Sequence, residues 1–139
     1  MTTLNKPLRE RAATIIIKDK KILLMHRIRD GKEYYVVPGG IVEDGETVEE
    51  TAVREAQEET GLEVVLGAKL FEFENKITNL IEHFFLVDDF SGKVALGGEE
   101  AEGNSASNSY ELVWLDSDEL IQVQFFPEEV EGMILDRLG

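Results

Sequence analysis

Apolar residues fall into short blocks along this chain, separated by charged or glycine-rich punctuation, and the period changes from block to block. Residues 12–18 (AATIIIK) and 21–27 (KILLMHR) are aliphatic and β-branched, with Asp19-Lys20 between them. That pattern predicts a hairpin. EYYVV at 33–37 predicts a third short strand, stopped by Pro38-Gly39-Gly40. Residues 63–74 place Val64, Leu66, Phe71 and Phe73 between polar positions, which predicts a strand with a place to bend at Gly67. LIEHFFLVD at 80–88 and YELVWL at 110–115 predict two more strands, with FSGK as a turn after the first of them. Residues 97–109 have almost no apolar content and read as a long surface loop, a kind that often carries function.

Two stretches have a helical period instead. Thr47 is a good N-cap, Glu50 completes a capping box, and Gly61 stands where a terminating glycine belongs, so a helix is predicted over 48–59. Ala52, Val53 and Ala56 form its apolar side, and two of these are small enough for close approach to a sheet. SDELIQ predicts a short helix started by Asp116 or Ser117. From Pro127, taken as the first helical position, Val130, Met133, Ile134 and Leu138 recur at helical spacing. Strands, helix, strands, helix is the order of an α+β or mixed-sheet domain with helices covering the sheet. No repeat or linker divides residues 1–139, which read as a single domain.

Composition narrows the function. With 14 Lys plus Arg against 29 Asp plus Glu, the formal net charge is −15, which argues against a broad basic surface for a nucleic-acid polymer. A phosphate-bearing small molecule stays open, provided a cation bridges the two. The absence of cysteine removes disulfides, thiolate zinc sites and thiol nucleophiles. AATIII near the N-terminus is too short for a signal-peptide core or a membrane span, so a soluble, cytoplasmic protein is expected.

Against this acidic background AVREAQEETG, residues 52–61, is a puzzle. At 100° per residue, Glu55, Glu58 and Glu59 fall within an arc of about 100°, on one helix face. A solvated acidic stripe is the plain explanation. Like charges at this spacing repel, however, no Lys on the face relieves them, and two sit at the helix end where the dipole disfavours them. A hard cation such as Mg²⁺ would relieve all of this.

The flanks extend the pattern. From Gly40 the chain runs five residues to Glu46, seven to Arg54-Glu55, two to Glu58-Glu59, and one to Gly61-Leu62. This resembles the Nudix box, G-x5-E-x7-R-E-U-x-E-E-x-G-U, where U is a bulky aliphatic; the departure is Ala56, at a U position. The preceding PGG and the later YELVWL are also similar to the family. The resemblance implies a mixed β-sheet sandwiched between α-helices. It also implies Mg²⁺-dependent (or Mn²⁺-dependent) hydrolysis of a nucleoside diphosphate linked to another group. Residue by residue, it implies Glu58 and Glu59 as metal ligands, and Glu55 as a ligand or water activator. Arg54 would hold a glutamate in place, Glu46 would support the loop, and the Gly40 carbonyl is a further candidate ligand. Arg54, Glu55 and Glu58 thus carry catalytic roles. A loop glutamate outside the box often contributes in this family; of Glu99, Glu100 and Glu102 we favour Glu100 as ligand or base.

Other residues have weaker claims. Arg27 is a candidate phosphate contact, with a surface ion pair as the alternative. His83 fits packing better than catalysis. Tyr34 and Tyr35 are candidates for stacking on a base, and Trp114 fits the core. Signatures of the ADP-ribose, dinucleoside polyphosphate and coenzyme A branches are absent downstream or upstream of the box. That leaves a MutT-like nucleoside triphosphate or nucleotide-sugar pyrophosphatase, a monomer or homodimer with a nucleotide-type substrate. The competing reading is a metal-dependent nucleotide-binding sensor that has kept the fold and lost turnover.

Overall fold

The computed structural model describes residues 8–95 and 108–139. The strands are β1 (Arg9–Ile15), β2 (Ile17–Lys18), β3 (Lys21–Arg29), β4 (Lys32–Val36), β5 (Gly39–Ile41), β6 (Glu63–Asn75), β7 (Leu80–Ser91), β8 (Asn108–Leu115) and β9 (Phe125–Phe126). The helices are α1 (Val48–Thr60), α2 (Ser117–Leu120) and α3 (Glu128–Leu138). One sheet has the order β5-β1-β7-β6, and the other β2-β3-β4-β9 with β8 on the free side of β3. Both mix orientations: β1 runs parallel to β7 and β4 parallel to β9, while the remaining pairs are antiparallel.

The expected hairpin is only partly present. Asp19 and Lys20 do form a tight turn, both with left-handed φ (54° and 62°), but only Ile17 and Lys18 pair back onto β3. Residues 9–15 leave for the other sheet, between β5 and β7. An aliphatic run specifies a strand and leaves open which strand pairs with it, and here two different partners divide one run.

Alternation along β1 places the helices. Ala12 packs with Ala52 of α1 and Phe85, whereas Ala13 and Ile15 join the large core with Phe84, Ile22, Leu24 and α3 residues Val130, Ile134 and Leu138. Successive strand side chains point to opposite faces, so α1 and α3 lie on opposite sides of β1. Each fully buried Ile, Leu or Phe in that core contributes about 1.5–3 kcal/mol through burial. The sandwich of mixed sheets between helices agrees with expectation.

Three details differ. Val53 is 40% exposed, so the apolar side of α1 is Ala52 and Ala56, extended by fully buried Thr51 and Thr60. The buried threonine hydroxyls are both satisfied: Thr60 Oγ1 donates to the Ala56 carbonyl on the helix at 2.5 Å, and Thr51 Oγ1 lies 2.5 Å from Glu46 Oε1 in the preceding loop and 3.0 Å from the Thr47 carbonyl, with one proton to give to the nearer. A search for apolar residues misses such positions. Pro127, expected inside α3, is its N-cap with extended backbone (φ −80°, ψ 144°). Gly39–Ile41, expected only to stop the preceding strand, pairs with β1 as β5.

Candidate functional site

The site grows from one strand, one loop and one helix. β5 delivers Gly39 and Gly40 beside β1, and a short loop over 42–47 leads into α1. The start of α1 is fixed by a complete capping box, with the Thr47 side chain accepting from Glu50 N–H and the Glu50 carboxylate from Thr47 N–H. Its end is fixed by Gly61 in the left-handed region at φ 79°.

Arg54 organises the acidic face. Its Nε donates to Glu46 Oε2 at 2.7 Å and its Nη2 to Glu46 Oε1 at 2.9 Å, a two-pronged clamp on the loop. Nη1 donates to Glu58 Oε1 at 3.0 Å and lies 3.6 Å from Glu55 Oε1. Nη2 also reaches the Ile41 carbonyl at 3.4 Å. Glu46 further accepts from the Thr51 hydroxyl at 2.5 Å and from Glu43 N–H at 3.2 Å. These donors, Arg54 foremost and then Thr51, hold the Glu46 carboxyl down at about 2, and the same bond pushes the Arg54 guanidinium further up. Two-pronged, charge-assisted bonds of this kind fix geometry as well as charge.

Glu59 is placed differently. It is 7% exposed, and its Oε1 accepts from Gly39 N–H at 2.7 Å. Glu55 lies against Gly40 so closely that a Cβ on Gly40 would overlap the Glu55 carboxylate. The helix face that looked uncompensated in sequence is therefore spoken for: Arg54 serves Glu46, Glu55 and Glu58, and β5 backbone serves Glu59.

Gly39, Gly40 and Glu59 also line a cleft of about 740 Å³. From the β2-β3-β4-β9 sheet come Tyr110, Arg27 and Tyr34, neighbours in one cross-strand row. The Arg27 guanidinium lies 4.5 Å from the Tyr110 ring centre and 5.6 Å from that of Tyr34, and Nη2 donates to the Tyr110 hydroxyl at 2.7 Å. Phe126 sits edge-on to Tyr34 at 5.9 Å. The other sheet supplies Arg11 and its register partner Glu82.

Gly40, Glu46, Arg54, Glu55, Glu58 and Glu59 thus come together, and Arg27 and Tyr34 line the adjoining cleft. Glu99, Glu100 and Glu102 lie outside the described residues. His83 is 5% exposed, with Nε2 2.7 Å from Glu10 Oε1, and it does not line the cleft. Tyr35 stacks on His26 at 4.3 Å, and Trp114 packs near Phe90 in the α1-side core. Sequence reading missed Arg11, Glu82, Asn75 and Tyr110 in the cleft. A charge inside an apolar strand, as at Glu82 in LIEHFFLVD, was the available signal.

A search of protein families matches the NUDIX domain over residues 8–134. The chain belongs to the NUDIX family. An ADP-ribose pyrophosphatase of Methanocaldococcus jannaschii is 40% identical over 93 residues, 63% of this chain and 55% of that protein. The match thus spans little more than half of that relative. A CTP pyrophosphohydrolase of Escherichia coli is 29% identical over 125 residues, covering 87% of this chain and 85% of that one. Among solved structures, the ORF135 protein of E. coli superposes with a TM-score of 0.70 at 26% identity, over 92% of this chain and 86% of its own. The mixed-sheet fold of this chain is thus the NUDIX fold. Among its described residues no helix is long and apolar enough to cross a membrane.

Proposed function

We propose that this NUDIX protein is a divalent-metal-dependent pyrophosphohydrolase acting on a nucleoside triphosphate or nucleotide-sugar type of substrate. The observation that carries the reading is the helix face of Glu55, Glu58 and Glu59, held by Arg54 and β5, with Glu59 opening onto an aromatic-lined cleft. The relatives named above act on ADP-ribose and CTP, which share a nucleoside phosphoanhydride.

The donor set suits Mg²⁺ or Mn²⁺: carboxylate oxygens, with the Gly40 carbonyl as a further candidate. No three acidic or histidine side chains among the described residues gather closely enough to hold an ion alone. That arrangement suits Mg²⁺, which keeps several waters and uses one or two carboxylates plus substrate phosphates. When bound, the ion would offset phosphate charge and lower the pKa of a coordinated water. The chain's own parts then have separate tasks. Arg54 spaces Glu55 and Glu58 and ties them to the loop through Glu46. Gly39 N–H holds Glu59 in one rotamer. Glu55, against Gly40, is the side chain we assign to accept the proton of the attacking water, or to ligate. Arg27 and the tyrosines beside it receive the nucleotide end away from these carboxylates. Glu100 keeps its candidacy as a further ligand or base.

The test is a panel of nucleoside diphosphate derivatives with Mg²⁺ or Mn²⁺, with product identification to locate the cleaved bond. Release of a nucleoside monophosphate or of phosphate, abolished by EDTA, is expected. Undiminished hydrolysis in excess EDTA would remove the metal from the mechanism. Metal-dependent binding without any product would instead identify the sensor.

A further inference from the structure

Glu82 is a carboxylate where the fold does not need one. It lies near the start of β7, is 4% exposed, and lines the cleft between its register partners Arg11 and Phe73. Burying a charge is costly unless it is paired and hydrogen-bonded. Its pairing is incomplete. Arg11 Nη1 reaches Oε1 only at 3.4 Å, because the stronger bond of that guanidinium, 2.7 Å, goes to the Val37 carbonyl. Asn75 Nδ2 donates to Oε2 at 2.5 Å. An ionised carboxylate has about four acceptor sites, so capacity remains on both oxygens.

Arg27 lines the same cleft. Arg27 Nε is buried and has no hydrogen-bond partner among the described residues, although the rest of the guanidinium is engaged by Tyr110 and Tyr34. The cleft therefore offers a flat cationic-aromatic row for stacking and one under-used carboxylate. A ligand that satisfies both is planar, with an N–H donor on its edge.

We propose that Glu82 is a specificity-determining residue that accepts a hydrogen bond from the exocyclic amino group of a nucleobase. It thereby selects amino-bearing bases over those carrying only carbonyls at the same edge. This rests on the cleft being the nucleotide site, as proposed above. The carboxylate repels a carbonyl oxygen, while an amino group supplies the missing donor. Discrimination arises because the wrong base leaves a buried charge short of a partner.

Two substrate pairs vary the amino group: GTP against ITP, which differ in it alone, and CTP against UTP, which also exchange an N3 acceptor for an N–H. For the wild type, kcat/KM is expected to favour the amino-bearing member of at least one pair by about 10- to 100-fold, the range of a hydrogen bond to a charged acceptor. Glu82→Gln keeps an acceptor for Asn75 but loses the charge, and is expected to lower that ratio about tenfold. Ratios near one in both wild-type pairs would overturn the inference even if all four nucleotides are hydrolysed, leaving the pyrophosphohydrolase reading intact. A Glu82→Gln loss that is uniform across the four would also overturn it, since Glu82 would then only brace Arg11 and Asn75. If none of the four is hydrolysed, the pyrophosphohydrolase reading fails for them, and titration calorimetry of the same four reads the same ratios as Kd values. Equal Kd values, or no binding, overturn the inference as well.

Discussion

Two adjacent glycines should respond to the same substitution in opposite ways. A Cβ at Gly39 would stand 2.5 Å from the Ala12 carbonyl oxygen and 2.7 Å from both Ala13 Cα and Cβ. Those atoms belong to β1, which is held between β5 and β7 and cannot retreat. Gly39→Ala is therefore an overpacking change inside a sheet, worth about 1–3 kcal/mol of destabilisation. For a chain of this size each kcal/mol shifts Tm by about 3–6 °C, so a loss of roughly 3–18 °C is expected. The three atoms nearest a Cβ at Gly40 all belong to the flexible Glu55 side chain, its carboxylate foremost. Gly40→Ala should leave Tm within about 3 °C of wild type, because Glu55 can rotate away. The rotation moves the Glu55 carboxylate by about 1 Å or more, a displacement that costs on the order of 100-fold in rate when the group serves chemistry. Differential scanning calorimetry and steady-state kinetics on both variants separate the two effects. A Gly40→Ala protein with wild-type turnover would refute the placement of Glu55 in the chemistry. A Gly39→Ala protein with wild-type Tm would refute the steric account of β5.

Three further outcomes are expected. Glu58→Gln and Glu59→Gln should each lower turnover by orders of magnitude while the far-ultraviolet dichroism stays unchanged, because in the Glu59→Gln variant the side-chain amide oxygen can still accept from Gly39 N–H; near-normal activity in both would sink the assignment. Glu46 has a folded-state pKa of about 2 against an ordinary 4.5, so its contribution to stability is complete above pH 4.5 and is lost as pH falls through about 2. Wild type should thus lose more Tm across that window than Glu46→Gln, and parallel curves would show the clamp to be without thermodynamic effect. Ala56 is 1% exposed among Ile16, Leu23, Leu62 and Val64, so restoring a bulky aliphatic with Ala56→Leu should cost about 1–3 kcal/mol in urea unfolding. An unchanged midpoint would mean that α1 can ride higher on the sheet.

Local chemistry was legible in the sequence wherever it is decided locally. The capping box at Thr47 and Glu50 and the stop at Gly61 depend on neighbours within one helical turn, and α1 follows them to within one residue. The spacing from Gly40 to Gly61 was enough to indicate the family and to single out Arg54, Glu55, Glu58 and Glu59. It also exposed the electrostatic difficulty of three glutamates on one face.

How that difficulty is met was settled only in three dimensions. Arg54 clamps Glu46 from eight positions away, and Gly39 N–H reaches Glu59 across twenty. Hydrogen bonds at such separations depend on where strands pair, and pairing is not encoded in the period of any one strand. The same reason divides residues 9–18 between two sheets and makes a strand of Gly39–Ile41. It also brings Glu82, Arg11 and Arg27 to one cleft from three separate strands. In sequence Arg27 was already a candidate phosphate contact, whereas Glu82 and Arg11 were charges among many; the sheets, by bringing all three to one cleft, turn them into candidates for recognition.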